Sequence, residues 1–310
     1  MRHILMDCDP GHDDAIAILL ALAHKDKLNI KGITTVGGNQ ILDKITNNAL
    51  KLLSFVDEDI KVAKGAEGPL LKELRTGEEA HGDSGMDGPI LPESKFKPVK
   101  EGAVEFMARI IRESEEPITL VPTAPLTNIA LLITAYPELK EKIEYISLMG
   151  GAGRGGNVTP CAEFNIFVDP EAAKIVFNSG IPIAMSGLDV TEKAEIYDDE
   201  IAELKKRGKV SKMVGELLDF YSIASKKFGF EGSALHDPCA VAWLLKPELF
   251  TTKECYVDIE TKGELTSGMT VVDFRGWLGK EPNTEVLVDV NREEFIKMLF
   301  EALDVMDKRQ

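Results

Sequence analysis

Ile4-Leu5-Met6-Asp7-Cys8-Asp9-Pro10-Gly11-His12-Asp13-Asp14-Ala15-Ile16-Ala17-Ile18-Leu19-Leu20 passes from an apolar run, through four carboxylates, into a second apolar run. Ile4 to Cys8 has the composition of a short buried strand, and Ala15 to His24 carries a helical pattern. Pro10-Gly11 turns the chain between them. The acids therefore fall at the C-terminal end of a strand, where open α/β sheets bind their ligands. Asp7 and Asp9 flank Cys8, so an extended segment projects both to one side. Asp13 and Asp14 fall at the helix start, where negative charge is favoured. Four carboxylates in eight residues oppose one another's ionisation, which shared protons or a bound cation relieve. Helix capping by Asp13 or Asp14 explains one or two of the acids and leaves the rest. An all-oxygen set with no nearby thiol pair suits a hard ion, Ca²⁺ or Mg²⁺, better than zinc.

The same alternation continues outward. Strand-like runs at Ile30 to Val36, Ile118 to Pro122, Tyr145 to Met149 and Ile181 to Ser186 interleave with helical patterns. The helical patterns lie at Asp43 to Phe55, Leu126 to Tyr136 and Pro170 to Asn178. Near-continuous apolar strands joined by helices read as an α/β fold, an open, mostly parallel sheet flanked by helices. Asp198 to Phe228 reads as mostly helical with a break near Gly208, and Ala240 to Leu245 opens a further helix. Tyr256 to Thr261 and Val286 to Val290 read as strands, and Phe295 to Val305 as an amphipathic closing helix. With no internal repeat and no linker-like shift in composition, residues 1–310 read as a single domain.

Composition narrows the function. Thirty-six basic against 52 acidic residues give a net charge of −16, which argues against nucleic acid as the partner. No apolar run reaches the roughly 18 residues of a membrane span, and the first residues lack a signal core, so a cytoplasmic location is expected. Cys8, Cys161, Cys239 and Cys255 form no CxxC pair and read as reduced thiols. Lys64 to Pro98 holds six Gly and four Pro and is long for a connection inside a compact domain. It reads as a mobile loop, a lid bearing His81.

Further polar residues fall where strand-to-helix loops gather. Asn39 ends Gly37-Gly38-Asn39 after the second strand, and Thr123 stands after a strand in Pro122-Thr123-Ala124-Pro125. Glu163 and Asn165, two apart, would point into one pocket from an extended segment. In Leu235-His236-Asp237-Pro238, Asp237 reads as a helix cap with Pro238 as first helical residue. Gly151, Gly153 and Gly156 spell GxGxxG, but Asn157-Val158-Thr159-Pro160 follows where a dinucleotide fold needs a helix. A flexible substrate loop is the better reading. Carboxylates, amides and hydroxyls without a basic cluster suit a neutral polyol better than a phosphate, and point to a sugar held against a hard metal.

At this point Asp7-Cys8-Asp9-Pro10-Gly11-His12-Asp13-Asp14 resembles the signature of the inosine-uridine preferring nucleoside hydrolases. The resemblance extends in order through Gly37-Gly38-Asn39, Val121 to Asn128, Leu148-Met149-Gly150-Gly151, Ala162 to Asn165 and His236-Asp237-Pro238. It implies a single α/β domain of the nucleoside hydrolase fold, a homodimer or homotetramer, and one Ca²⁺ per subunit. Asp9, Asp14, Asp237 and the carbonyl of Thr123 would hold the ion, with Asp9 the general base toward a water at the ion. Asp13, Asn39, Glu163 and Asn165 would take the ribose hydroxyls, Asn157 the 5′-hydroxyl, and Met149 would line the sugar pocket. His81 and His236 match positions near the base. In pyrimidine-preferring relatives a tyrosine works with those histidines as a proton relay. Its counterpart by position here is Phe228, which carries no proton, with Tyr221 nearby.

The reaction implied is hydrolysis of an N-ribosidic bond through an oxocarbenium-like state, on inosine, uridine or cytidine. His236, with His81, would assist the leaving base, a task that suits histidine's unperturbed pKa. Two alternatives use the same residues. One is an Mg²⁺-dependent phosphohydrolase built on Asp7 and Asp9, although the haloacid-dehalogenase pattern wants Thr or Val where Gly11 stands. The other is a non-catalytic calcium- or sugar-binding module.

Overall fold

The structure, a computed structural model, describes residues 1–227 and 229–310, so Phe228 lies outside the described residues. Strands β1 (Arg2–Cys8), β2 (Leu28–Thr35), β3 (Val62–Lys64), β4 (Ile118–Pro122), β5 (Ile143–Met149) and β6 (Ile183–Ser186) all run parallel, in the order 3-2-1-4-5-6. Strands β7 (Glu195–Ile196) and β8 (Ser233–Ala234) pair antiparallel outside that sheet. Of the last four, β9 (Phe250–Cys255), β10 (Val257–Ile259), β11 (Thr270–Val272) and β12 (Thr284–Val290), β12 joins β6 in parallel and β9 closes the edge antiparallel. The eight-stranded sheet is thus the expected open, mostly parallel one.

Helices α1 (His12–Ala23), α2 (Leu42–Phe55), α3 (Glu78–His81), α4 (Ala103–Glu113), α5 (Thr127–Ala135), α6 (Phe164–Val168) and α7 (Pro170–Phe177) fill the first half. They are followed by α8 (Leu188–Thr191), α9 (Asp198–Leu204), α10 (Lys209–Lys227), α11 (His236–Leu245) and α12 (Arg292–Lys308). Every residue of α1 is buried, because it lies between the sheet and the outer helices α11 and α12. That is why Ala15 to Ala23 is apolar on all sides rather than along one stripe. The other sheet face is covered by α4, α5 and α7 through Phe106, Ile129, Val176 and Phe177.

The chain lays β1, β2 and β3 to one side and then crosses to β4 on the other, so strand order reverses at β1 and β4. Ligands bind open sheets at that reversal, beyond the strands' carboxyl ends. Asp7 pairs in register with Thr34 on β2 and Pro122 on β4, so the acidic cluster and Thr123 leave the sheet side by side.

Short elements beyond those expected form at β3, α3, α8, β7, β8 and β11, and two longer stretches also differ from expectation. The edge strand Phe250–Cys255 is largely polar, with only Phe250 and Cys255 buried, because one face of an edge strand meets solvent. Helix α4 forms where no element was expected, and it packs Phe106 against Gly32 of β2, whose missing side chain makes room for the ring.

Candidate active site

The floor is built where β1 ends. Gly11 is the N-cap of α1 and donates its N–H to Asp14 Oδ2 at 3.2 Å, so Asp14 closes the helix start, as the capping reading expected. Its other oxygen accepts the Thr123 hydroxyl at 2.7 Å. Carboxylate oxygens of Asp13, Asp14 and Asp237 lie within 4.8 Å of one another, all buried. Asp9 stands beside this trio. Its Oδ2 accepts the Asn39 N–H at 2.6 Å, while its Oδ1 is buried without a partner. A side chain at Gly38 would run into that carboxylate, which accounts for the glycine. Asp7, by contrast, turns into the fold, accepting Thr34 Oγ1 at 2.6 Å and Asn128 Nδ2 at 2.8 Å.

Burial dominates the titration of this floor. It pushes Asp13 and Asp14 up to about 6, and holds Asp9 and Asp237 well above the usual carboxylate range, with the neighbouring acids adding repulsion. Packed oxygens with raised pKa values and an unpartnered Asp9 Oδ1 are the arrangement a hard divalent cation would satisfy. Asp13, Asp14 and Asp237, with Asp9 adjacent, are the residues that could hold it.

The walls come from the segment between β5 and α6, from α6 itself, from α3, from α10 and from the start of α11. Glu163 caps α6, accepting N–H groups of Gly151 at 2.8 Å, Asn165 at 3.0 Å and Ile166 at 3.2 Å. Burial still raises its carboxyl to about 7, against those three hydrogen bonds. Asn165 Nδ2 donates to the carbonyls of Thr123 and Met149, both at 3.2 Å. Asn157 lies at the exposed rim and accepts the Phe164 N–H at 2.9 Å. Above the floor, His81 stacks with His12 and lies tilted against Tyr221, and the Nδ1 atoms of His12 and His81 are 3.2 Å apart. Burial lowers both histidines, His12 to about 4 and His81 well below the ordinary value. His236, also lowered by burial, shares a hydrogen with the Thr191 hydroxyl at 2.8 Å. These groups enclose a cavity of about 740 Å³, lined by Asp13, Asn39, His81, Thr123, Met149, Asn157, Glu163, Asn165, Tyr221, His236 and Asp237. That volume is ample for a small polar ligand such as a nucleoside.

A profile of the family described as "Inosine-uridine preferring nucleoside hydrolase" matches residues 4–297. The chain belongs to this family. It is 55% identical to a pyrimidine-specific ribonucleoside hydrolase RihA of Shewanella baltica, over 99% of this chain and 97% of that protein. Among solved structures, a purine-preferring ribonucleoside hydrolase from Gardnerella vaginalis superposes with a TM-score of 0.92 at 32% identity, covering 99% of each chain. An inosine-guanosine nucleoside hydrolase matches with a TM-score of 0.90 at 29% identity, over 98% of this chain and 99% of that one. The chain is therefore an enzyme, a ribonucleoside hydrolase that cleaves N-glycosidic bonds, and the phosphohydrolase and binding-module alternatives fall away. No helix of the described residues is long and apolar enough to cross a membrane.

The hydrolase departs from its sequence reading in two places. Helix α11 begins at His236 with Leu235 as N-cap, so Asp237 is not the cap. Inside the first turn its carboxylate is free to join Asp13 and Asp14. Glu163 and Asn165 do not project from an extended segment; Glu163 is a cap and Asn165 is helical. Of the residues expected to hold a metal, Asp14 and Asp237 lie in the tight oxygen trio with Asp13, and Asp9 stands beside it. Tyr221, which the sequence left unplaced, lies buried in α10 against the histidines. His12, although inside the signature, gave no sign of its pairing with a residue 69 positions away.

Proposed function

We propose that this enzyme is a calcium-dependent hydrolase of pyrimidine ribonucleosides, uridine and cytidine above inosine, releasing free base and ribose. The observation that carries the cation is the buried trio of Asp13, Asp14 and Asp237 beside the unpartnered Asp9 Oδ1. Pyrimidine preference follows the identity with the relatives named pyrimidine-specific. When bound, the ion supplies positive charge that neutralises the acids, draws the vicinal hydroxyls of a ribose and makes water easier to deprotonate.

The chain's own groups do the rest. Asp9, Asp14, Asp237 and the Thr123 carbonyl hold the ion. Asp9 Oδ1 has no hydrogen bond to lose and takes the proton of the attacking water. Asp13, Asn39, Glu163 and Asn165 take the ribose hydroxyls, Asn157 takes the 5′-hydroxyl, and Met149 packs on the sugar. Positive charge grows on the ring as the bond to the base breaks, and the surrounding carboxylates stabilise it. His81 and His236 face the leaving base and supply its proton. Segment 64–98 brings His81 over the substrate and acts as the lid. A cytoplasmic homodimer or homotetramer is part of this reading, and the four free thiols fit a reducing compartment.

The test is a panel of uridine, cytidine, inosine and 2′-deoxyuridine, with free sugar measured before and after chelation. Uridine and cytidine should lead, the deoxynucleoside should be poor, and chelation should abolish turnover until calcium returns. Undiminished hydrolysis after exhaustive chelation removes the cation from the reading.

A further inference from the structure

We propose that Asn48 is a positioning residue for His81: its side-chain amide ties the turn that follows His81 to the Pro10 turn of the acidic floor, and so sets where the His81 ring stands over the substrate. The inference deepens the proposed function and rests on its assignment of His81 to the leaving base. It is carried by the two contacts of one buried NH2 group. Asn48 Nδ2 donates to the Pro10 carbonyl at 3.0 Å and to the Ser84 carbonyl at 2.9 Å. Both partners are carbonyls, which only accept, so this atom of the amide is the nitrogen and both of its hydrogens are used. Asn48 is 5% exposed, so water does not readily replace either bond. Pro10 lies between Asp9 and Gly11, and Ser84 follows closely on His81. One side chain therefore spans the carboxylates and the segment that carries the histidine.

Segment 82–87 is shaped to be held at this point. The single-turn helix α3 is too short to be stable by itself, so His81 takes its position from what flanks it. The Asp87 carboxylate accepts the N–H groups of Asp83 at 2.9 Å and Ser84 at 3.2 Å. Gly85 N–H donates to the Gly82 carbonyl at 3.2 Å, which closes the segment into a turn. Helix α2 presents a row of donors to that turn. Lys44 and Asn48 are one helical turn apart, and Gln40 stands just ahead of the helix. Gln40 Nε2 donates to the Asp83 carbonyl at 3.1 Å, Lys44 Nζ donates to the same oxygen, and Asn48 donates to the next carbonyl along. Asn48 adds the bond to the turn between β1 and α1.

Gly85, at a φ of +84°, lets the turn lie flat on this row, since a Cβ there would come 3.1 Å from Gln40 Cβ and 3.3 Å from Asn48 Nδ2. The other end of α3 is held by Gly77 N–H on the Asn39 carbonyl at 3.1 Å. Both ends of the short helix thus hang on residues 39–48, and the far end of that stretch reaches down to the floor.

Asn48→Ala removes both bonds. With uridine, kcat should fall about 10–100-fold at nearly constant KM, the cost of displacing an aligned group by about an ångström. Turnover of p-nitrophenyl riboside, whose nitrophenolate leaves without a proton, should change little. The loss should vanish once the histidine is gone, so N48A/H81A should match H81A. Hydrogen exchange of the N–H groups of residues 83–87 should quicken about tenfold in N48A, because the turn has lost its tie to α2. Equal losses on both substrates, or a further loss on adding N48A to H81A, would show that Asn48 acts through the acidic floor and would overturn the proposal, as would parental kcat on uridine. If N48A fails to fold, Gly85→Ala lifts the turn off α2 without touching Pro10 and should give the same split between substrates; parental uridine turnover in that variant overturns the proposal. Should H81A itself turn over uridine normally, the leaving-group role of His81 fails. Quickened exchange in N48A then still upholds the tether, and parental exchange overturns it as well.

Discussion

Replacing Asp14 by Asn should make the metal-free enzyme more stable at alkaline pH while abolishing its activity. Burial lifts the Asp14 carboxyl from 3.8 to about 6. Its folded pKa is therefore above the unfolded one. In the absence of a cation its favourable contribution is complete below about pH 4 and is lost as pH rises through about 6. Above that, ionised Asp14 destabilises the fold by about 3 kcal/mol, at 1.36 kcal/mol for each pH unit of displacement. Asparagine cannot ionise. Its carbonyl can still accept from Gly11 N–H and Asn39 Nδ2, and its amide can donate to the Thr123 hydroxyl, which accepts as readily as it donates. Weaker neutral hydrogen bonds return about 1 kcal/mol of the gain. The net is about 2 kcal/mol, or about 3 °C in Tm for a chain of this length. Thermal melts in chelator at pH 8 and pH 5 measure it. The Asn variant should melt higher at pH 8, the advantage should shrink at pH 5, and calcium should raise Tm of the parent far more. A variant that melts below the parent in chelator at pH 8 refutes the reasoning.

Asp9→Ala should lower turnover by about 10²–10⁴, the usual range for a lost general base, with the circular dichroism spectrum unchanged; near-normal turnover would take Asp9 out of the chemistry. His236→Ala should damage uridine hydrolysis far more than that of p-nitrophenyl riboside, whose leaving group needs little help, and equal losses would argue against a role at the base. Glu163→Ala removes the acceptor for three backbone N–H groups, so it should destabilise the fold by about 1–2 kcal/mol and raise KM, with Gln restoring part of the stability. Unchanged melting of the Ala variant would show that the cap carries no weight.

The middle of the sheet was legible because its buried strands read as unbroken apolar runs, as Ile118 to Pro122 does with both ends correct. Most of the acidic floor was legible because Asp9, Asp13 and Asp14 sit within six residues of one another, with Asp237 joining them from α11. What escaped was set by tertiary packing. Leu235 lacks a capping side chain, so the start of α11 carries no local signal and Asp237 reads as the cap from sequence alone. Glutamate is an uncommon N-cap, and Glu163 serves as one because the N–H of Gly151 also reaches it from the end of β5. Tyr221 lies inside a long helix whose register against His81 depends on how α10 crosses α3. The pairing of His12 with His81 joins the first helix to a loop residue, a contact that no local pattern encodes.

The central claim is that a divalent cation replaces protons among the buried carboxylates of Asp9, Asp13, Asp14 and Asp237. Calorimetric titration of calcium into the chelator-stripped enzyme, repeated in buffers of different ionisation enthalpy, tests it most directly. With Asp13 and Asp14 near 6 and Asp9 and Asp237 also raised by burial, binding at pH 6 should release protons at a single site per chain. The site should be lost in Asp237→Asn. Calcium binding with no proton release at pH 6, or undiminished binding in Asp237→Asn, would contradict it.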